Sequence, residues 1–360
     1  MEKKVYIFGA HSRGKSLKGY LNFLYPDVEI VSFLVDNLDE NESMVEGIKV
    51  QNILDDICKE YPVYIATRGS NHRKIIAQLS TIGVKKIIPI TVERDIELRN
   101  AYVSKVYKKN GREFTLIDDV EGKIDSQRNE EKTASIYVAY SIYDNPLKNQ
   151  YKLTSDEKPI QVGAALTDKR INDEMITDDK GDNISYRNRQ YCELTAMYWM
   201  WKHANEEYVG LAHYRRHFML PNDWKRRVVA NHIDVILPVP LYVGPSIEQN
   251  YKDRHIVSDW EYLMVYFKEN LCDEYEEVRR VFAGNLYSPC NMFIMKKEIL
   301  DELCSWLFPI LEAVVRHGGE KEDAYMNRYP GFISERLITY FFEKNRERFN
   351  IVYANKNFLD

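Results

Sequence analysis

The sequence predicts an α/β protein built as two domains in tandem. Three observations carry that reading. β-rich apolar runs alternate with segments of helical period from Lys4 onward, a polar stretch from Asp118 to Lys132 breaks the alternation, and a fresh apolar run, Ser135-Ile136-Tyr137-Val138-Ala139-Tyr140, restarts it. At 360 residues the chain is also longer than a single core usually serves.

The first domain opens with a strand over Lys4 to Phe8. It enters the turn Gly9-Ala10-His11-Ser12-Arg13-Gly14, after which Leu17, Tyr20, Leu21 and Leu24 recur at helical spacing. A second strand, Glu29 to Val35, ends at Asp36. A helix over Asn52 to Glu60, a strand over Val63 to Ala66, a helix capped by Asn71 and running to Ile82, and a strand over Lys86 to Ile90 follow in order. Strands alternating with helices in this way form a small parallel sheet covered on both faces. From Thr91 the pattern weakens, so the expected organisation is a domain over residues 1–92, a linker over 93–132 and a second α/β domain over 133–360.

The balance of 44% hydrophobic and 29% charged residues is that of a folded globular chain. A net charge of −5, with Lys and Arg interleaved among acids, offers no basic face for nucleic acid, which is therefore not expected as a partner. The five cysteines, Cys58, Cys192, Cys272, Cys290 and Cys304, are widely spaced and contain no C-x-x-C pair. That argues against a zinc site or a disulfide framework and for a reducing compartment. No run approaches the roughly 18 apolar residues of a spanning helix, and the start of the chain lacks a signal core, so a cytoplasmic location is expected.

Gly9 and Gly14 occupy the first and third glycine positions of the G-x-G-x-x-G fingerprint, and Asp36 stands where an acidic residue would reach a ribose hydroxyl. His11 replaces the middle glycine, which normally lets the backbone approach a pyrophosphate closely. Gly9 and Gly14 therefore serve either a tight structural turn or a nucleotide-type site. The stretch resembles the small Rossmann-like domain that precedes the acyltransferase part of bacterial sugar acetyltransferases, a domain that in some relatives binds a nucleotide sugar.

In the second domain four blocks combine polar residues with core-forming runs. They are Pro159 to Leu166; Asp182-Asn183-Ile184-Ser185, Asn188 and Tyr191 to Lys202; Tyr208 to Phe218, which contains His213-Tyr214-Arg215-Arg216; and Cys290 to Lys297 with Gly331 to Leu337. Together they resemble a family of bacterial glycosyltransferase-like domains associated with capsule and exopolysaccharide synthesis. The resemblance implies a GT-A-like α/β fold and a nucleotide-sugar donor. It also implies hexosyl or galactofuranosyl transfer to a growing or lipid-linked glycan, with peripheral work at the inner face of the membrane. Many GT-A enzymes carry an Asp-x-Asp metal motif at the strand edge where this chain has His-Tyr-Arg-Arg. No metal ligands are assigned, and Mn or Mg stays open as a cofactor.

The chemistry can be reasoned separately. Transfer from a nucleoside diphosphate sugar needs cations against the departing diphosphate and, for inversion, a carboxylate base beside the acceptor hydroxyl. A strand over Tyr208 to Ala212 would put His213, Arg215 and Arg216 at its C-terminal edge as donor-binding cations. Neighbours on a strand point opposite ways, so one arginine of the pair is expected to face the ligand. Asp182 and Asn183 are donor-site candidates or simple turn and cap residues. Glu193 lies in an apolar neighbourhood and needs a partner if buried, with Arg215 the candidate. Asn291, at the start of the strand Met292 to Met295, is a candidate sugar contact. Glu335, expected at the start of an apolar helix, is the first choice for the base, and Asp259, with His255 nearby, is the second. Two other functions compete: an NAD-dependent sugar-nucleotide oxidoreductase or epimerase acting through the first domain, which lacks a Tyr-x-x-x-Lys pair, and a non-catalytic scaffold for glycan assembly.

Overall fold

The computed structural model describes residues 3–122, 133–148 and 151–359. They form two compact units, one over residues 3–114 with Tyr242–Gly244 and one over the remainder. Residues 123–132, part of the expected linker, lie outside the described residues.

The first unit is Rossmann-like, in the order β1 (Lys4–Phe8), α1 (Ser12–Leu24), β2 (Glu29–Val35), β3 (Met44–Val45), β4 (Ile48–Asn52), β5 (Val63–Ile65), α2 (Gly69–Thr81), β6 (Ile87–Pro89) and α3 (Val92–Lys109). The sheet order is β3-β4-β2-β1-β5-β6, parallel throughout except for the short β3–β4 pair. Alternation along β1 explains why both faces are buried. Val5 and Ile7 join Leu17, Leu21 and Phe33 in one cluster, whereas Tyr6 and Phe8 join Leu34, Ile65, Ile75 and Leu79 in the other.

Two expectations are corrected here. The segment from Asn52 to Glu60 is not a helix. The Asn52 side chain accepts from Leu54 N at 2.9 Å, and Asp55 accepts from Asn52 N at 3.1 Å, so local side-chain bonds take the donors a helix would have used. The stretch read as a linker from residue 93 opens with α3, whose Tyr102 packs on Tyr20 and Phe23 at ring distances of 5.3 and 5.0 Å. The rest of that stretch divides differently. Ile117 is buried in the core of the second unit, and Arg227 binds the carbonyls of Ile117, Asp118 and Val120.

The glycine turn has a structural cause. Gly9 has φ +106°, and a Cβ on Gly14 would stand 1.9 Å from the Gly9 carbonyl oxygen. Helix α1 can follow β1 this tightly only with glycine at both places. Gly14→Ala is expected to destabilise the first unit by about 2 kcal/mol or more, read as a lower denaturation midpoint. His11 is the exposed N-cap of α1 and makes no capping bond through its side chain, and exposed Asp36 pairs with Lys74 at 3.6 Å.

The second unit comprises β7 (Ala134–Tyr140), β8 (Glu157–Gln161), β9 (Ile176–Thr177), α4 (Asn188–Tyr191), α5 (Leu194–His203), β10 (Tyr208–His213), α6 (Trp224–Ala230), β11 (Val235–Pro238), the first residue of β12 (Leu241–Tyr242), α7 (Ile247–Lys252), α8 (Val257–Asn270), α9 (Cys272–Phe282), β13 (Leu286–Tyr287), β14 (Phe293–Lys296), α10 (Lys297–Gly318), α11 (Tyr329–Lys344) and β15 (Ile351–Ala354). Its main sheet runs β15-β11-β14-β10-β7-β8-β9, with β14 antiparallel to both neighbours. Ile136 and Val138 of β7 face a core completed by Trp224 and Val228 of α6. Tyr137, pointing the other way, meets Trp199 of α5 at 5.8 Å. This is the mixed α/β, GT-A-like arrangement. Because β14 is antiparallel, its start lies at the same edge as the end of β10, and that edge holds the site. No helix among the described residues is long and apolar enough to cross a membrane.

Candidate active site

A cleft at this edge is lined by Cys192, Glu193, His213, Arg216, Cys290, Arg328, Gly331, Phe332 and Glu335. Four pieces of chain build it: the break between α4 and α5, the end of β10, the approach to β14, and the first two turns of α11.

Backbone strain is concentrated here. Cys192, Cys290 and Asn291 have φ of +50°, +73° and +50°, a region costly for residues with a Cβ and stable only where the surroundings impose it. Around Cys192 the constraint is visible. Asn188 donates to the Cys192 carbonyl at 2.7 Å and to Thr195 Oγ1 at 3.0 Å. Behind it, fully buried Asp178 accepts from Gly163 N at 2.9 Å, from Ala164 N at 3.1 Å and from the Ser185 hydroxyl. The polar block read from Asp182 to Asn188 is thus largely scaffolding for the turn that delivers Glu193.

Glu193 Oε1 accepts from Asn291 Nδ2 at 2.7 Å, and the same amide donates to the Gly331 carbonyl at 3.1 Å. Burial opposes charge on Glu193, but His213 whenever it is protonated, the Asn291 bond and Arg328 outweigh it and hold the carboxyl below the usual range. His213 Nε2 lies 2.6 Å from the Cys290 carbonyl. A carbonyl only accepts, so Nε2 carries the proton. Burial, with Arg216 and Arg328 beside it, pushes the imidazole below its ordinary pKa despite Glu193, so His213 is a neutral ring and not a cation.

Glu335 accepts from Cys290 N at 2.6 Å through Oε1 and from Arg336 Nη1 at 2.7 Å through Oε2. Burial raises its pKa, and neighbouring Glu193 adds to the rise, against the lowering by Arg336 and the Cys290 N–H. The residue sits in the second turn of α11 and not at a helix start, so a helix-dipole role does not account for it. Burial pushes the Cys192 thiol up to about 11 and also raises Cys290, so neither is a ready thiolate nucleophile at neutral pH.

The two arginines divide, although both follow the end of β10 in a tight turn and not on the strand. Arg216 lines the cleft, with Phe358 packed 5.4 Å from its guanidinium, and no carboxylate among the described residues lies within ion-pairing distance of it. Arg215 lies over the Tyr214 ring at 5.0 Å, outside the cleft lining, and is not the partner of Glu193. The second cleft cation is Arg328, whose Nε donates to Cys192 Sγ at 2.9 Å. The His213–Phe218 segment is pinned by the chain that follows β15. Met219 N donates to Asn355 O at 2.8 Å, His217 N to Asn357 Oδ1 at 2.9 Å, and Leu359 N to Arg215 O at 2.8 Å. His217 is a fully buried core histidine bonded to Glu157 at 2.6 Å.

The other candidates lie elsewhere. Asp182 accepts from Tyr198 at 3.1 Å, and Asn183 bonds within its own turn to Asp179, Gly181 and Ser185; neither lines the cleft. Asp259 is buried and paired with Lys321 at 2.9 Å, outside the cleft lining, while His255 stacks on Phe332 at 4.1 Å. Asn291 acts on Glu193 from behind the lining. Sequence reasoning missed Arg328. It also missed Asp144, which burial pushes up to about 6 against the lowering by Ser141 N, Arg215 and Arg328. The Tyr329-Pro330 pair was an available signal for Arg328, because proline in the first turn marks the helix start and puts Arg328 at its N-cap.

Both cleft carboxylates are committed to donors of the protein and stand beside two guanidinium groups, and no group of three His, Cys, Asp or Glu side chains among the described residues could hold a metal.

The fold is similar to that of the apo structure of the WbbM bifunctional glycosyltransferase. The match has a TM-score of 0.56 and 24% identity, and covers 63% of this chain and 45% of that one, so this chain spans less than half of that protein's length. Residues 146–346, more than half of the chain, match the family described as Domain of unknown function (DUF4422), and the chain belongs to that family. No curated protein matches it.

Proposed function

We propose that the protein is a glycosyltransferase of surface polysaccharide synthesis, moving a hexosyl or galactofuranosyl unit from a nucleotide-sugar donor, a UDP-sugar, to a growing or lipid-linked glycan. The observation that carries the reading is the convergence of two carboxylates, Glu193 and Glu335, with two guanidinium groups, Arg216 and Arg328, in one cleft. Arg216 and Arg328 hold the diphosphate in the bidentate manner suited to guanidinium. Glu335 takes the proton of the acceptor hydroxyl as its oxygen bonds to the anomeric carbon. The bond from that carbon to the diphosphate breaks, and the nucleoside diphosphate leaves with the electron pair against the arginines. Glu193, held ionised, balances the positive charge that develops on the sugar. A single displacement of this kind inverts the anomeric centre. No step is routed through a metal, and a lipid-linked acceptor places the work at the inner face of the membrane.

Thermal denaturation of the full chain with UDP, GDP, CMP or NAD, with and without manganese, tests the reading. UDP at about 100 times its Kd should raise the midpoint by roughly 5–10 °C, with or without manganese. Stabilisation by NAD alone would favour the oxidoreductase alternative. No response to any nucleotide would leave a scaffold.

A further inference from the structure

Resting on the transferase reading, we infer that Tyr325 and Phe332 form a stacking subsite for a sugar ring of the acceptor glycan, at the mouth of the cleft. Tyr325 is 51% exposed, yet its place is fixed by rings and by its loop. Its ring meets Phe332 at 5.0 Å and His255 at 6.0 Å, and His255 stacks on Phe332 at 4.1 Å with 19° between the planes. Burial, with Arg336 and Arg254, pushes His255 down to about 3, so the ring supporting Phe332 is uncharged. The loop is pinned on both sides. Gln190 Nε2 donates to the Gly319 carbonyl at 3.1 Å and to Asn327 Oδ1 at 3.2 Å, while Asp323 accepts from Met326 N at 2.7 Å.

The stripe on α11 sets the direction. Arg328, Phe332 and Glu335 fall at i, i+4 and i+7, on one face, and all three line the cleft. The Arg328 guanidinium stands 5.8 Å from the Phe332 ring. A cation, a ring and a carboxylate thus succeed one another along the cleft. A sugar lying on the rings would have one hydroxyl edge beside Glu335. Sugars suit this surface because one ring face is C–H and the edge is hydroxyl, matching aromatic faces bordered by charge. An acyl chain or apolar peptide would instead press against the charged groups of Glu193, Glu335 and Arg328 while offering them no hydrogen bond.

Saturation-transfer NMR of methyl glycosides of galactose, glucose, mannose and N-acetylglucosamine, with UDP present, tests the subsite in the wild-type chain, Tyr325→Ala and Tyr325→Phe. At least one glycoside should show transfer to its ring C–H protons in wild type and Tyr325→Phe, and weaken about fivefold or more in Tyr325→Ala. The UDP-induced thermal shift should be equal in all three. Unchanged glycoside contact in Tyr325→Ala overturns the subsite, as does a UDP shift with no glycoside contact in wild type. Loss of the UDP shift in Tyr325→Ala assigns the rings to the donor and overturns it too. Tyr325-dependent glycoside contact without any nucleotide response keeps the subsite and removes the transferase reading instead.

Discussion

Replacing Glu335 by glutamine is expected to reduce turnover of sugar transfer about a thousandfold while the UDP-induced thermal shift persists. Glutamine keeps the shape of the side chain, and its amide oxygen can still accept from Cys290 N or from Arg336. What it cannot do is take a proton from an acceptor hydroxyl. The effect should fall on kcat more than on the KM for the donor, because proton removal is completed only in the transition state. The pH profile gives an independent reading. Burial raises the pKa of Glu335 above that of an ordinary carboxyl, so the fraction in the basic form falls as pH drops through that raised value. Wild-type kcat should therefore lose activity on the acid side at a higher pH than an ordinary glutamate would dictate. Rates measured across pH for wild type, Glu335→Gln and Glu193→Gln decide the assignment. If Glu193→Gln abolishes transfer and Glu335→Gln does not, the two carboxylates exchange roles. A melting curve for each variant separates this from misfolding, since Glu335→Gln also removes the anionic partner of buried Arg336.

Much of the fold was legible because its signals are local. The strand at Lys4 to Phe8, the helix carrying Leu17, Tyr20 and Leu21, and the strand ending at Val35 each announce themselves by period, and the order of such elements leaves few sheet topologies. The failure at Asn52 to Glu60 arose where Asn52 and Asp55 bonded their own backbone, a competition that hydrophobic spacing does not register. The extent of the first unit was misjudged because α3 carries a high proportion of charge, although its Tyr102 and Val103 are buried.

The site was legible as a set of blocks and illegible as an arrangement. Asn291 and Glu193, bonded to each other, are 98 residues apart, and Arg328 reaches Cys192 across 136 residues. No spacing rule joins such pairs. The positive φ at Cys192, Cys290 and Asn291 was equally hidden, since two cysteines and an asparagine do not advertise the backbone that glycine would. His213 shows the electrostatic side of the same limit. Its sequence neighbours Arg215 and Arg216 suggested a shared cationic role, but burial, with Arg216 and Arg328 beside it, lowers its pKa against the opposing pull of Glu193 and the Cys290 carbonyl. Strand alternation was no guide to the two arginines either, because β10 ends at His213 and both lie in the turn that follows it.

The division between these two arginines gives the second large expected effect. Arg216→Ala and Arg328→Ala should each weaken UDP binding roughly 10–100-fold, whereas Arg215→Ala should change it by less than about twofold. The estimate follows from about 1.5–3 kcal/mol for hydrogen bonds to charged groups and 1.4 kcal/mol per decade of affinity. Arg216 has no carboxylate of the described residues to pair with, so its charge is available to a ligand, and Phe358 holds the guanidinium plane without competing for its donors. Lysine at 216 should recover only part of the loss, because a point charge replaces the fork but cannot bond two phosphate oxygens in its plane. Calorimetric titration of UDP into the three alanine variants and the Arg216→Ala, Arg328→Ala double variant supplies the coupling. If both guanidinium groups hold one diphosphate, the double variant should lose less than the two single losses combined, since either change alone already disorders the group they share. Losses that simply add would mean that the two arginines bind separate parts of the ligand. An Arg215→Ala effect as large as that of Arg216→Ala would mean that the turn after β10 rearranges when the nucleotide arrives.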